Sequence, residues 1–159
     1  DDPELSARVN GSDARQPLRV VLDSRLRTPE GAKVVGPNTL IATTRPGKVG
    51  AAETLLLPSS SDGQVELSPL LDELGRRGIL SVLVEGGAAV HASFFAQGLV
   101  DKVQAYVAPI VIGGREATGP VGGKGITNLV DAIHLSRLDT TRIGDDLLIS
   151  GYVDVHRHS

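Results

Sequence analysis

The sequence predicts an α/β domain, because short apolar runs bounded by turn residues alternate with amphipathic helical segments. The most informative run, residues 79–84, is apolar and β-branched and stops at Glu85, Gly86 and Gly87. It is too short for a helix and alternates too little for a half-exposed strand, so it predicts a strand buried on both faces. Apolar residues at helical spacing follow the glycines, so we expect a helix to begin there.

Three strands are expected before this point, at residues 18–22, 39–43 and 54–57. Ser68 and Pro69 then predict the N-cap and first turn of a helix that carries a stripe of leucines. Two arginines and a glycine end this helix in the favoured way. The helix therefore reads as the crossover that leads into the strand at 79–84.

Polar and basic residues follow the first two strands. Asp23 and Ser24 come directly after the first, at the carboxyl end where ligands of open α/β sheets bind. The alternative is that both residues only start a turn. Arg25 and Arg27 follow, either as ligands of cofactor phosphates or as solvated charges. The loop at 44–48 is also basic and suits the 2′-phosphate of an NADP ribose.

The C-terminal part predicts a hairpin. A long strand is expected at 103–112, and a glycine-rich loop at 115–124 reads equally as a lid or as a plain connection. Alternation at 134–142, a turn at Gly144 and an apolar run at 147–153 then predict two antiparallel strands at the sheet edge.

Composition narrows the function classes. The chain has 159 residues, enough for one domain with a real core, which must be aliphatic because aromatic residues make up only 3%. The net charge is −3 with acids and bases interspersed, so we expect neither a nucleic-acid nor a membrane partner. There is no cysteine, which fits a cytoplasmic protein and excludes thiolate metal sites. His156 and His158 on the C-terminal tail make only a weak metal motif, so no metal site is predicted.

The glycine turn is a candidate anion site. The start of a helix offers unpaired backbone N–H groups, and at Gly86 and Gly87 no side chain keeps a phosphate away. Glu85 would repel a phosphate, so it is expected to accept hydrogen bonds from hydroxyl or amide groups nearby. An ordinary strand-to-helix turn with a solvated acid is the competing interpretation, because short glycine motifs often match by chance.

Three separated blocks, together spread over nearly the whole chain, carry a family resemblance. Residues 84–87, with 99–101 and 108–114 after them, resemble the reductase domain of the bifunctional riboflavin-biosynthesis deaminase and reductase family. Residues 18–24 and 1–8 are similar to two further hallmarks of that family. The resemblance implies a three-layer, dihydrofolate-reductase-like α/β fold, with a mixed, mostly parallel sheet that ends in a C-terminal antiparallel hairpin.

The same resemblance implies a function. It is the NADPH-dependent reduction of 5-amino-6-(5-phosphoribosylamino)uracil to the ribitylamino form, by a cytoplasmic homodimer. Leu5, Arg8 and Glu85 would contact the substrate, with Arg8 on its phosphate. The cofactor NADPH would contact the residues that match the family's cofactor positions: Asp1, Ser24, Gly87, Ala88, Ala89, Val90, His91, Ala92 and Ser93. The proton donor is not identified.

Two alternatives stay open. In the family the domain begins upstream of the residue that matches Asp1, so residues 1–159 are expected to form a single, N-terminally incomplete domain. One alternative is therefore a fragment that does not catalyse or that depends on assembly, because unpaired strands are costly and invite pairing with another chain. The other is a reductase of the same fold that acts on a pteridine-like heterocycle, which Leu5 and Arg8 disfavour. A deaminase half is excluded for this chain, because its zinc motif needs cysteine.

Overall fold

The computed structural model describes residues 2–8, 15–114, 116–117 and 119–154. The chain divides into two compact units, the first ending at Val82 and the second beginning at Leu83. The first unit contains a parallel sheet and the second an antiparallel sheet, each with three strands. The predicted α/β class is confirmed, although the described strands form two sheets where one mixed sheet was expected.

The parallel sheet of the first unit has the order β1-β2-β3. Its strands are β1 Arg19–Leu22, β2 Thr39–Thr43 and β3 Glu53–Leu56, each within one residue of the prediction. The central strand β2 is buried along its whole length. Strand β1 is only half-buried.

Helix α1 spans Leu67–Arg76 and packs its leucines on the sheet. The prediction of Ser68 as N-cap is wrong: the helix begins one residue earlier, and the N-cap is Glu66, whose side chain makes no capping bond. Burial of Leu67, which is 3% exposed, favours a first turn that includes it. The predicted glycine stop is confirmed, because Gly78 adopts φ +78°, a left-handed conformation that glycine tolerates best.

The core of the first unit lies between α1 and β2. Leu40 and Ala42 of β2 pack with Leu70 and Leu74 of α1, and Val65 completes the cluster. All five side chains are aliphatic, as the composition predicted. Each large aliphatic side chain that is fully buried contributes roughly 1.5 to 3 kcal/mol, so the core depends on many modest contributions.

The second unit contains a helix and an antiparallel sheet. Helix α2 spans Ala88–Ala96, and a single 3₁₀ turn occupies Leu129–Asp131. The strands β4 Lys102–Val107, β5 Leu135–Ile143 and β6 Asp146–Val153 form the sheet in the order β4-β6-β5. The predicted hairpin of β5 and β6 is confirmed, with Gly144 at φ +62° in its tight turn.

Two strand predictions are wrong for the described chain. Residues 79–84 form no strand, and Leu80 and Leu83 are 98% and 73% exposed. The apolar pattern of residues 79–84 is typical of a buried strand. A strand also needs a neighbouring strand for its backbone hydrogen bonds, and no described strand pairs with this run. Strand β4 ends at Val107 instead of residue 112, because Val107 pairs with Leu147 near the start of β6 and no partner backbone extends further.

Candidate functional site

A polar pocket of about 220 Å³ lies at the carboxyl end of β1, where the sequence predicted a ligand site. Its lining consists of Leu22, Asp23, Ser24, Arg25, Arg27 and Gln64. The strand ends here because Asp23 turns the chain: its N–H donates to Ala42 O at 2.9 Å as the last ladder bond, and its side chain then binds the loop. Ligands of parallel α/β sheets bind at this edge.

The Asp23 carboxylate organises the loop after β1. It accepts hydrogen bonds from the N–H of Arg25 at 3.3 Å and from both the N–H and the hydroxyl of Thr28, each at 2.7 Å. Burial raises the pKa of the Asp23 carboxyl, but bonds from the backbone of Arg27 and from Thr28 and Arg25 outweigh it and lower the pKa below its usual value. The acid is therefore held as a carboxylate and its charge is satisfied locally.

Ser24 connects the end of β1 to the segment before α1. Its hydroxyl donates to Gln64 Oε1 at 3.1 Å and accepts from the N–H of Val65 at 3.0 Å. Its carbonyl accepts from the hydroxyl of Thr44 at 2.8 Å, which connects it to the loop after β2. Ser24, a predicted cofactor residue, thus lies in the pocket. Its hydroxyl is already hydrogen-bonded to Gln64 and Val65 and holds these residues in place.

Gln64 is a site residue that sequence reasoning missed. Its amide oxygen is occupied by Ser24, while its amide nitrogen makes no hydrogen bond with any described residue and is available as a donor. An exposed glutamine in a polar loop carries no sequence signal. Only the folded chain places it beside Ser24, although 40 residues separate the two.

Positive charge surrounds this pocket. Arg25 and Arg27 are exposed, and neither guanidinium forms an ion pair with the described part of the chain. The loop after β2, with Arg45, runs close by, because a Cβ on Gly47 would lie 2.5 Å from Leu26 Cδ1. Leu26 itself has φ +51°, a strained conformation for a leucine. The two loops therefore bring uncompensated cations to one edge of the sheet, which suits a phosphate.

Arg8 lies near the amino ends of β1 and β2. Arg8 lines an open groove of about 660 Å³ together with Arg19, the first residue of β1, and Asn38, which precedes β2. Its guanidinium lies 3.8 Å from the Glu4 carboxylate in an exposed ion pair. Leu5 is half-buried and has φ +51°. Leu5 is not among the residues that line the groove, and the length of β1 separates Arg8 from Ser24.

In the second unit, the glycine turn leads into α2 as predicted. Gly87 is the N-cap, with φ −58°, and a Cβ built on it would meet nothing within 4 Å. The first N–H groups of the helix have no intrahelical acceptor, so the turn is open for an anion. Glu85 is exposed and makes no hydrogen bond or ion pair with the residues that the structure describes.

The other predicted cofactor residues form the first two turns of α2. Val90 and His91 donate their N–H groups to Gly87 O at 2.9 and 3.2 Å. The Ser93 hydroxyl donates to Ala89 O at 3.0 Å and is therefore used within the helix. Ala88 and Ala92 face the glycine-rich segment after residue 118, as the tight fits of Gly122 and Gly123 show. Residues 88–93 can therefore contact a ligand mainly through the helix backbone and not through their side chains.

Some predictions fall outside these observations. Asp1, a predicted cofactor residue, and the tail histidines His156 and His158 lie outside the described residues. Within residues 2–8, 15–114, 116–117 and 119–154, no group of three or more His, Cys, Asp or Glu side chains is arranged to hold a metal ion. In the same part of the chain, no helix has the length and apolar character needed to cross a bilayer.

Solved structures share this fold. The chain is similar to RibD of Acinetobacter baumannii, with a TM-score of 0.82 and 24% identity over 97% of this chain and 44% of that one. It is also similar to the riboflavin biosynthesis reductase of Saccharomyces cerevisiae, with a TM-score of 0.76 and 17% identity over 97% and 70% of the two chains. At this level of identity the likeness shows the fold alone, and it confirms the predicted α/β fold.

Sequence comparison shows the family. The chain is 36% identical to the riboflavin biosynthesis protein RibD of Actinobacillus pleuropneumoniae, over 94% of this chain and 42% of that protein. It thus spans less than half of that relative. It is 33% identical to the 2,5-diamino-6-ribosylamino-4(3H)-pyrimidinone 5′-phosphate reductase of Methanothermobacter thermautotrophicus, over 94% of this chain and 72% of that protein. Residues 1–149 match the family described as the RibD C-terminal domain, and the chain belongs to that family.

Proposed function

We propose that this chain is an NADPH-dependent reductase of riboflavin biosynthesis that converts 5-amino-6-(5-phosphoribosylamino)uracil into its ribitylamino form. Relatives that carry the name pyrimidinone 5′-phosphate reductase support the reaction class. The structural observation that supports the cofactor most directly is the pocket beside Ser24, where Arg25 and Arg27 have no described ion-pair partner.

The residues around this pocket fit the 2′-phosphate of NADPH. Two guanidinium groups bind phosphate oxygens through charged N–H donors, and the free amide nitrogen of Gln64 adds a neutral donor. Asp23 does not oppose this binding, because its carboxylate is already surrounded by N–H and hydroxyl donors of its own loop. The preference for NADPH over NADH is therefore assigned to Arg25, Arg27 and Gln64.

The glycine turn of the second unit, taken by itself, is a separate candidate site for a phosphate group. The start of α2 at Gly87 suits the diphosphate of the cofactor through its free backbone N–H groups. Glu85 stands directly before this turn and is exposed, so its carboxylate is free to accept hydrogen bonds from substrate hydroxyl or amino groups. The Arg8 groove is assigned to the substrate phosphate on the strength of the family resemblance.

In chemical terms the ribosyl ring opens so that its first carbon forms a C=N bond, a hydride adds to that carbon, and a proton adds to the nitrogen. NADPH, when bound, supplies the hydride. What the described residues contribute is position and electrostatics: Glu85 orients the polar groups of the substrate, and the cations beside Ser24 hold the cofactor. The proton donor is not assigned to any of these residues.

A second candidate substrate is favoured by the names of the archaeal relatives. The reductases of Methanothermobacter thermautotrophicus and Archaeoglobus fulgidus carry the name of a 2,5-diamino-pyrimidinone phosphate, which has an amino group where the uracil has an oxygen. Glu85 accepts hydrogen bonds from either compound. The two candidates share the sugar chemistry and differ only at the heterocycle, so direct competition between the two substrates distinguishes them.

The test uses NADPH labelled with deuterium at the transferable position. We expect the label to appear at the first carbon of the ribityl chain of the product, as mass spectrometry and NMR would show. The uracil and the diamino-pyrimidinone are offered together, and the ratio of the two products reports the preference. NADPH consumption without label in either product would overturn the proposed reaction.

Cofactor preference is tested by exchange of Arg25 and Arg27 for alanine, with Arg15→Ala as an exposed control. The double variant should lose roughly tenfold or more in NADPH affinity and little in NADH affinity, since only the former carries the extra phosphate. Equal loss for both nucleotides would contradict the assignment of the pocket to the 2′-phosphate.

We also propose that the chain acts as a homodimer. The support is a contiguous exposed apolar stretch, in which Ile110, Val111 and Ile112 are 68%, 97% and 83% exposed. Sedimentation velocity would report a dimer that the triple exchange of these residues for serine converts to a monomer. A monomer in the unchanged protein would refute this proposal.

A further inference from the structure

The His91 ring bridges two carbonyl oxygens that lie far apart in sequence. Nδ1 is 2.8 Å from Pro120 O, and Nε2 is 3.2 Å from Val84 O. Val84 lies just before the glycine turn and His91 lies in the first two turns of α2. The second contact therefore joins the segment before the turn to the helix after it. The first contact ties the helix to the glycine-rich segment at residues 119–125, here named the cover segment.

The cover segment lies on α2 with a close backbone fit. The N–H of Gly122 donates to Ala88 O at 2.9 Å, and a Cβ on Gly122 would lie 3.2 Å from the carbonyl carbon of Ala88. Gly123 has φ +74°, and its Cβ would lie 3.1 Å from Ala92 Cβ. A side chain at Gly122 would be tight against the helix backbone, and Gly123 adopts a left-handed conformation that glycine tolerates best, so glycine suits both positions.

The chemistry of the ring matches the contacts that it makes. Both neighbours are carbonyl oxygens, which accept and do not donate. A neutral imidazole has one N–H and serves one of the two carbonyls at a time, whereas the imidazolium donates to both. In either form both ring nitrogens face main-chain carbonyl oxygens of the same chain.

We propose that His91 is a positioning residue, which holds the cover segment on α2 and sets the geometry of the glycine turn that receives the cofactor diphosphate. The ligand in this statement rests on the proposed function. The ring acts through Val84 O and Pro120 O, and the cofactor meets the backbone of this stretch. Loss of the ring donors lets the cover segment leave Ala88 and loosens the turn before Gly87.

Hydrogen exchange in the ligand-free full chain tests the structural half of the proposal. His91→Phe keeps a ring but has no donor, so the backbone N–H groups of residues 119 and 121–125, and that of Gly122 above all, should exchange faster. His91→Asn keeps a donor near the Nδ1 position and should restore most of the protection. His134→Phe is the matched control, because His134 is exposed on the same unit and its side chain makes no described contact.

A second variant, changed in the cover segment and not at His91, keeps the test valid if the His91 variants misfold. Gly122→Ala should free the cover segment while His91 is intact, whereas Gly119→Ala should not, since the nearest atom to its Cβ is Val121 O at 3.9 Å. Unchanged exchange of residues 119–125 in both His91→Phe and Gly122→Ala would overturn the proposal.

NADPH titration tests the functional half. His91→Phe should raise the Kd for NADPH by roughly three- to tenfold, the size of a lost hydrogen bond, and His91→Asn should recover part of it. Faster exchange with an unchanged Kd would overturn the link between the cover segment and the turn. If the unchanged protein binds no NADPH, the proposed function fails, while the exchange comparison still decides the role of His91.

Discussion

Thr28 donates two hydrogen bonds of 2.7 Å to the Asp23 carboxylate, one from its backbone N–H and one from its hydroxyl. This pair closes the loop that carries Arg25 and Arg27. The presentation of both cations therefore depends on a carboxylate that accepts its hydrogen bonds from its own loop. Disruption of the pair should affect both the stability of the protein and its affinity for a phosphorylated cofactor.

Asp23→Asn should destabilise the protein by roughly 1 to 3 kcal/mol, because it replaces charge-assisted hydrogen bonds at a largely buried position. The pKa of Asp23 is lowered in the folded protein, so this stabilisation is fully present above its unfolded value near 3.8 and is lost as the pH falls through the lower folded value. Urea unfolding at neutral pH and at acidic pH would show the difference between variant and parent shrink. A difference that grows on acidification would contradict the assignment.

Gly87→Val should weaken NADPH binding by well over tenfold, about 1.4 kcal/mol or more, because a branched side chain would occupy the place of the phosphate. The fold should tolerate the change, since φ is −58° and a Cβ meets nothing within 4 Å. Calorimetric titration of a variant with an unchanged melting temperature measures the effect. Gly86→Ala is the comparison, because its Cβ would lie 3.2 Å from Val90 Cβ and disturb the turn itself. A folded Gly87→Val protein with parental NADPH affinity would show that the phosphate lies elsewhere.

Arg8→Ala should raise the KM for the phosphorylated substrate and leave the NADPH affinity unchanged, with a loss of roughly 2 kcal/mol for a charge-assisted contact. Its ion pair with Glu4 is exposed and contributes little to folding, so stability should not change. Steady-state kinetics with phosphorylated and dephosphorylated substrate would separate the two effects. Arg15→Ala is the control, as an exposed arginine nearby in sequence. Equal losses on both substrates would exclude phosphate recognition by Arg8.

Arg77 connects the end of α1 to β3 and should give the protein an acid-sensitive contact. Its guanidinium binds Glu53 through two bonds of 2.9 and 2.7 Å and Glu73 through one of 2.7 Å. Hydrogen bonds from Arg77 lower the pKa of both carboxyl groups, which outweighs the effect of burial, and the two acids raise the pKa of Arg77. The solvated Arg77–Glu53 pair contributes at most about 1 kcal/mol.

Since both acids have lowered pKa values, the contribution of Arg77 is complete above their usual value near 4.5 and is lost as the pH falls through the lower folded values. Arg77→Gln should therefore lower the melting temperature at neutral pH and have little effect in acid. High salt should also reduce the difference, because the pair is exposed. An effect that is independent of both pH and salt would mean that Arg77 acts through packing of its stem.

Local signals account for the elements that the sequence predicted well. β2 was visible as Thr39–Thr43 because an unbroken apolar run between turn residues has few other stable placements. The stop at Gly78 and the turn at Gly144 follow from conformations that glycine tolerates best. The start of α2 was visible because apolar residues at helical spacing begin directly after Gly86 and Gly87. Each of these signals is complete within a few residues.

Other features depended on partners that no local pattern specifies. Residues 79–84 have the composition of a buried strand, yet the described chain offers them no neighbour, and β4 stops where β6 begins. Leu67 is the first residue of α1 because burial of its side chain stabilises the protein more than an N-cap at Ser68 would.

The sequence by itself determined the parallel strands, the hairpin, the glycine turn and the family to which the chain belongs. Apolar periodicity and turn chemistry are local properties, and the order of the family motifs is read directly along the chain. Only the tertiary structure decided that Gln64 supports Ser24 and that His91 joins Val84 to Pro120. It also decided that Arg8 and Ser24 lie near opposite ends of β1. These relationships join residues that are distant in sequence, and hydrogen bonds between such residues exist only once the backbone has folded and brought donor and acceptor within about 3 Å.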